Sequence, residues 1–171
     1  KAACDALQTG PFLVHAVGDS VPPQAFPAIV FVIASMTSFA TGTSYGTMAI
    51  LVPTAVPIAY ALEDQHYGLI TIITLGSILD GAIFGDHCSP VSDTTIMSSI
   101  SSSCDHMHHV RTQLPYSLVV ALLALCCGYL PAGFGAPSWS GIVAATLLMA
   151  IGFYFLPKSG GESSPELAPE S

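Results

Sequence analysis

Charge is what this sequence has least of: 8% of its 171 residues are charged, and three basic residues stand against eleven acids. Soluble domains carry about a quarter charged residues. So few cannot coat a water-facing surface. Lys1, Arg111 and Lys158 are too few cations to neutralise a phosphate backbone, which excludes nucleic acid as a partner. Cysteine is sparse and unpatterned: Cys4, Cys88, Cys104, Cys126 and Cys127 are odd in number and lack CxxC spacing. Cys126 and Cys127 sit in an apolar run and read as small packing residues. A zinc site can be drawn from His87, Cys88, Cys104 and His106, but its spacings match no closed zinc pattern. No cationic leader with a cleavage site follows Lys1, so no signal peptide is expected, and the chain reads as a fragment or mature piece.

What is abundant is apolar: 51% of residues, with a mean hydropathy of +0.66. No charged residue occurs from Ser20 to Leu62 or from Thr112 to Pro157. Each run exceeds the roughly 20 residues of one span, so each holds more than one membrane element. The expectation is an all-α, multi-pass integral membrane protein whose first partner is the lipid bilayer.

Residues 1–25 read as a connector from a preceding helix. Phe26–Phe39 is apolar but only about 21 Å long as helix, short of a bilayer core of about 30 Å. A Gly/Thr/Ser tip over 40–46 follows, then a second apolar arm to Leu62 containing Pro53 and Pro57. Two short arms around a polar tip predict a re-entrant hairpin over 26–62, tolerable at membrane depth only under protein or a water-filled cavity. Glu63-Asp64-Gln65-His66 marks an aqueous edge. Residues 66–103 read as a broken transmembrane helix with its break at 85–90, where Pro90 forces Ser89 out of helical geometry and suits the first position of a new helix capped by Ser89. A polar connector (104–112), full spans at 113–130 and 138–156, a turn from Pro131 to Pro137 and a disordered Gly/Ser/Pro/Glu tail (158–171) complete the chain. Arg111 and Lys158 flank the last two spans on one side. The positive-inside rule makes that side, with the C-terminus, cytoplasmic.

Two interrupted helices point to transport, because broken helices expose backbone dipoles near the midplane, where secondary transporters bind ions. The first arm and first half-helix aim carbonyl ends at their breaks, which suits a cation. Thr41, Gly42, Thr43, Ser44 and Thr47 offer oxygens at one break, and Ser89, Ser92, Thr94 and Thr95 at the other. Such donors suit a hard cation such as Na⁺. Asp86, Asp93 and Asp80 are intramembrane acids, costly at roughly 2.5–3.5 kcal/mol each and functional candidates by default. Burial and the preceding helix end both disfavour the Asp86 anion, so it can hold a proton or a cation, but not both. His87 is a second candidate proton carrier. Asp93 also reads as a first-turn acid stabilising the second half-helix. Asp80 also reads as a polar residue paired with a helix outside this chain.

Ser38–Pro53 (SFATGTSYGTMAILVP) and Gly81–Thr95 (GAIFGDHCSPVSDTT) resemble the two signature stretches of the NhaC-type Na⁺/H⁺ antiporters, and Cys104–His106 with Val110–Tyr116 extends the match. The resemblance implies one inverted repeat of an elevator-type ion transporter, exchanging Na⁺ for H⁺ in a bacterial-type inner membrane. The family also includes exchangers of organic acids or amino acids. The transported ions would be the only ligands, with no cofactor. A homo-oligomer, or a separately encoded N-terminal half, would complete the site, and the chain alone would not catalyse exchange.

Two other classes compete. Gly42–Gly46 matches the G-x-S-x-G elbow of serine hydrolases, with His87 and Asp86 as paper partners of Ser44. That elbow needs a strand before it, and helical-length arms flank this one. The small residues of Gly128–Gly141 and the His-rich stretch Asp105–His109 suggest an assembly or metal-binding role, though each reads more simply as a packing turn and a solvated connector.

Overall fold

The computed structural model describes residues 21–155, and all the regular secondary structure among them is helical. The connector expected over 1–25 and the tail expected over 158–171 lie largely or wholly outside the described residues. The helices are α1 (Phe26–Thr41), α2 (Ser44–Leu62), α3 (Leu69–Cys88), α4 (Asp93–Ser101), α5 (His106–Gly133) and α6 (Ser138–Phe155). By length and composition α2, α3 and α5 can cross a membrane, while α1 and the core of α6 are shorter apolar helices.

Several boundaries depart from the sequence-based expectation, each for a local reason. The seven-residue tip contracts to two residues. Gly42 closes α1 in the left-handed region at φ 67°, with its N–H on the Ser38 carbonyl, and Thr43 is extended and caps α2 by accepting from Gly46 N. The second arm, expected as part of a re-entrant hairpin, is long enough to span. α3 runs on through Gly85–Cys88, so the break lies at Ser89–Ser92. Pro90 does hold Ser89 extended, but the cap of α4 is Ser92, which accepts from Thr94 N at 3.2 Å. α5 starts at His106 rather than 113, because the Asp105 carboxylate accepts from His108 N at 2.8 Å and caps it. It also continues past Pro131 to Gly133. The turn before that proline, Ala124–Tyr129, widens to π geometry, which relieves the clash of a proline ring with the carbonyl four residues back.

α1 and α3 form the tightest seam. A Cβ on Gly81 would strike the Phe31 carbonyl, and one on Gly85 would strike the Ser35 carbonyl and Phe39 N. The missing side chains let the two backbones close up, as small residues do between membrane helices. Ser38 Oγ then donates across the seam to the Ala82 carbonyl at 2.5 Å. Phe26, Val30, Ala55, Ile58, Ala59 and Ile78 make the apolar core among α1, α2 and α3.

Glu63 fastens the start of α3. Its carboxylate accepts from Gly68 N, Ile70 N and Thr71 N and from Thr71 Oγ1 at 2.6–3.1 Å. Partial burial alone would raise its pKa, but the Thr71 hydroxyl and these N–H donors outweigh it and hold the carboxyl below its ordinary value.

Candidate functional site

The hairpin tip docks on the break. Gly42 lies so close to the Val91–Ser92 peptide that a Cβ there would come within 2.9 Å of Val91 C and O. Only glycine meets both this approach and the positive φ. Ser89 Oγ donates to the Phe39 carbonyl at 2.7 Å, tying the break to the end of α1. Thr95 Oγ1 donates to the His87 carbonyl at 3.1 Å and bridges the break from α4 back to α3.

At this junction sits Asp86, 7% exposed. Ser92 Oγ donates to its Oδ1 at 2.6 Å, and Ser44 Oγ donates to its Oδ2 at 3.1 Å. Ser44 opens α2 and Ser92 caps α4, so the carboxylate faces the first turns of two helices. Helix starts carry partial positive charge and favour an anion. The sequence pointed to the carbonyl ends of α1 and α3, and the hydroxyls that reach Asp86 come from the helix starts instead. Two carboxylate oxygens and two hydroxyl oxygens, each with a spare lone pair, make a compact all-oxygen cluster. Such a cluster can take a proton or a small hard cation.

The other candidates are placed differently. Thr41 Oγ1 donates to the Thr37 carbonyl within α1, and Thr47 Oγ1, buried, donates to the Thr43 carbonyl. Thr43 caps α2, and Thr94 Oγ1 lies 2.7 Å from Ser92 Oγ, one step removed from the carboxylate. Asp93 is exposed in the first turn of α4. Asp80 accepts from the Tyr129 hydroxyl of α5, so its partner lies within this chain rather than outside it. His87 is exposed, with Nδ1 3.0 Å from the Ile83 carbonyl.

The competing classes fare poorly in this geometry. Ser44 bonds directly to Asp86 while His87 turns to Ile83, so no serine–histidine–aspartate chain forms. Among the described residues no group of three or more His, Cys, Asp or Glu stands close enough to hold a metal. Cys88 Sγ instead donates to the Phe84 carbonyl, and Cys104 Sγ to the Asp105 carbonyl.

Ser38, Gly81 and Gly85 were not among the sequence candidates, and His106 was weighed only as a metal ligand, yet all four shape the junction. The ring of His106 spans from the Pro90 carbonyl (Nε2, 2.8 Å) to Ser99 Oγ (Nδ1, 3.1 Å), fixing α5 to the break. The four-residue spacing of Ser77, Gly81 and Gly85 is the available signal for the seam.

A family model described as Na⁺/H⁺ antiporter family matches residues 2–134. The chain is 39% identical to an uncharacterized protein of Haemophilus influenzae over 89% of this chain and 28% of that one. It is 33% identical to the malate-2H(+)/Na(+)-lactate antiporter of Bacillus subtilis, over 72% and 26%. It is 31% identical to the arginine/ornithine antiporter ArcD of Halobacterium salinarum, over 68% and 23%. The chain thus spans about a quarter of the length of these relatives. No solved structure matches it significantly.

Proposed function

The chain belongs to the Na⁺/H⁺ antiporter family, and from that premise we propose that it supplies the cation and proton site of a secondary antiporter exchanging Na⁺ for H⁺. One observation carries the reading: a buried carboxylate, Asp86, held by Ser44 and Ser92 where a hairpin tip meets a helix break. In one state the carboxylate and the two hydroxyl oxygens ligate Na⁺. In the other a proton on Asp86 cancels the charge, and the cation leaves. Mutually exclusive occupancy couples the two fluxes, provided the site faces each side of the membrane in turn.

On this reading the described helices form one repeat of an elevator-type transporter. A second repeat, from the remainder of a longer chain, a separately encoded half or another copy, covers the site. The apolar, largely exposed faces of α5 and α6 support such packing against lipid and neighbouring helices. The membrane is a bacterial-type inner membrane, with Arg111 and the C-terminus on the cytoplasmic side. A second reading keeps the site and changes the cargo: two relatives are named as antiporters of organic acids or amino acids, so an organic substrate could travel with or against the cation.

The test is Asp86→Asn in the full-length protein, reconstituted in liposomes with an internal pH dye. An imposed Na⁺ gradient is expected to drive no proton movement, a loss of at least about 100-fold. Normal exchange by folded Asp86→Asn protein would end the proposal. Dye response that requires an added carboxylate or amino acid would favour the second reading.

A further inference from the structure

A polar cavity of about 170 Å³ lies beside the break, lined by His87, Thr94, Thr95, Ser98, His109 and Gln113. The end of α3, the start of α4 and the first turns of α5 meet there, and the space is large enough for several waters. Thr94, in its wall, shares a 2.7 Å hydrogen bond with Ser92, and Ser92 Oγ lies 2.6 Å from Asp86 Oδ1. An unbroken row of oxygens therefore joins the cavity to the buried carboxylate. Ser44, which holds the other carboxylate oxygen, is outside the cavity wall. The two sides of Asp86 are thus not equivalent.

His87 adds a direction. Its Nδ1 stands 3.0 Å from the Ile83 carbonyl, which can only accept, so Nδ1 carries the ring hydrogen. Nε2 is left as the accepting position of the ring.

Resting on Asp86 as the proton carrier, we propose that this cavity is the port through which protons reach and leave the carboxylate, with the Ser92–Thr94 hydroxyl pair as the relay. A protonated ring or water in the cavity gives its proton to Thr94 Oγ1. Thr94 passes its own hydrogen to Ser92 Oγ, and Ser92 passes its own to Asp86 Oδ1. Each hydroxyl ends with one hydrogen, the donor loses one unit of positive charge, and the carboxylate becomes neutral. Release runs the row backwards after the hydroxyls turn. A sodium ion cannot hop along hydrogen bonds, so the two ions approach one carboxylate by different routes.

Two fluxes of the full-length protein in proteoliposomes separate the routes. Equilibrium exchange of ²²Na⁺, with equal Na⁺ and pH on both sides, needs the cation site but no net proton transfer. Uptake of ²²Na⁺ driven by a pH gradient needs both. His109→Phe fills the cavity without replacing Asp86, Ser44 or Ser92. It is expected to slow pH-driven uptake about tenfold while equilibrium exchange stays within about twofold. Gln113→Leu guards against a misfolded first variant and is expected to show the same split at about threefold. Parallel loss of both fluxes in both variants, or undiminished pH-driven uptake in either one, overturns the port. Normal proton coupling in Asp86→Asn would instead remove the reading on which it rests.

Discussion

α1–α4 and α5–α6 are both built from apolar helices, yet they differ sharply in what they bury. In the first region the buried set is rich in hydroxyls: Ser35, Ser38, Thr47, Thr71, Thr74, Ser77, Ser89, Ser92, Thr95 and Ser99, with Asp86 among them. Large apolar side chains such as Ile29, Ile33, Ile72 and Ile83 face outward. In the second region almost nothing is buried. Leu118, Val119, Leu122, Ile142, Leu147 and Ile151 are exposed, and among the described residues Val110 and Gly133 are its buried ones. A water-soluble core would reverse this pattern. In a bilayer apolar surface costs nothing, and small residues let helices pack closely. The first region therefore spends its interior on packing and polar chemistry, whereas the second presents a surface to whatever surrounds it.

That contrast can be broken most severely at Gly85. A valine there collides with the α1 backbone at Ser35 and Phe39, which no side-chain rotation relieves. Gly85→Val should cost about 3 kcal/mol or more, seen as loss of folded protein or a sharply lowered thermal transition in detergent. A near-wild-type transition would mean that the seam is not close-packed.

The Glu63 cap sharpens the comparison at the edge of the first region. Glu63→Gln should destabilise it by about 1 kcal/mol near neutral pH, the partial exposure of the carboxylate keeping the loss modest. The pH sign follows from linkage. The folded carboxyl titrates below its ordinary value of 4.5, so the charge contributes fully above that value. The contribution fades as pH falls through the lowered folded value. Thermal unfolding of both proteins across acid pH should show their difference shrinking to nothing at the acid end.

The smallest effect belongs to the second region. A Cβ on Gly152 meets nothing within 4 Å. Gly152→Ala should leave stability unchanged or raise it by up to about 1 kcal/mol through helix propensity alone. A large loss in the same detergent melt would reveal packing in α6 that the contrast denies.

Gly42 and Pro90 announce both interruptions in the sequence, because a left-handed turn and a missing N–H leave compositional marks. The helix ends between them leave none. Gly85 reads as a breaker, but it stays helical because its bare backbone is what α1 packs against. Asp105 caps α5 from within a polar stretch that lacks apolar periodicity, so the first two turns of that helix resemble a connector. In the junction Asp86 stands out as an acid in apolar surroundings. Nothing in the sequence, however, ranks the nine Thr, Ser and Gly candidates around it. The structure sorts them by geometry alone: Ser44 and Ser92 reach the carboxylate, while Thr41 and Thr47 return their hydroxyls to the carbonyl one turn back. The contacts by which His106 ties α5 to the break could not be read, since its partners, Pro90 and Ser99, lie outside that helix.

Pro53 and Pro57 lie inside α2, and together they set where that helix yields. Each lacks an N–H, so the carbonyls of Ala49 and Pro53 lose their usual donors four residues on. One stretch near the middle of α2 is thus short of two rungs of its ladder, while the end bearing Ser44 is capped by Thr43 and anchored to Asp86. A rod of this kind does not flex evenly. Load applied to its far end bends it at the prolines and leaves the capped turn unbent, so the Ser44–Asp86 distance is shielded from deformation elsewhere in the hairpin.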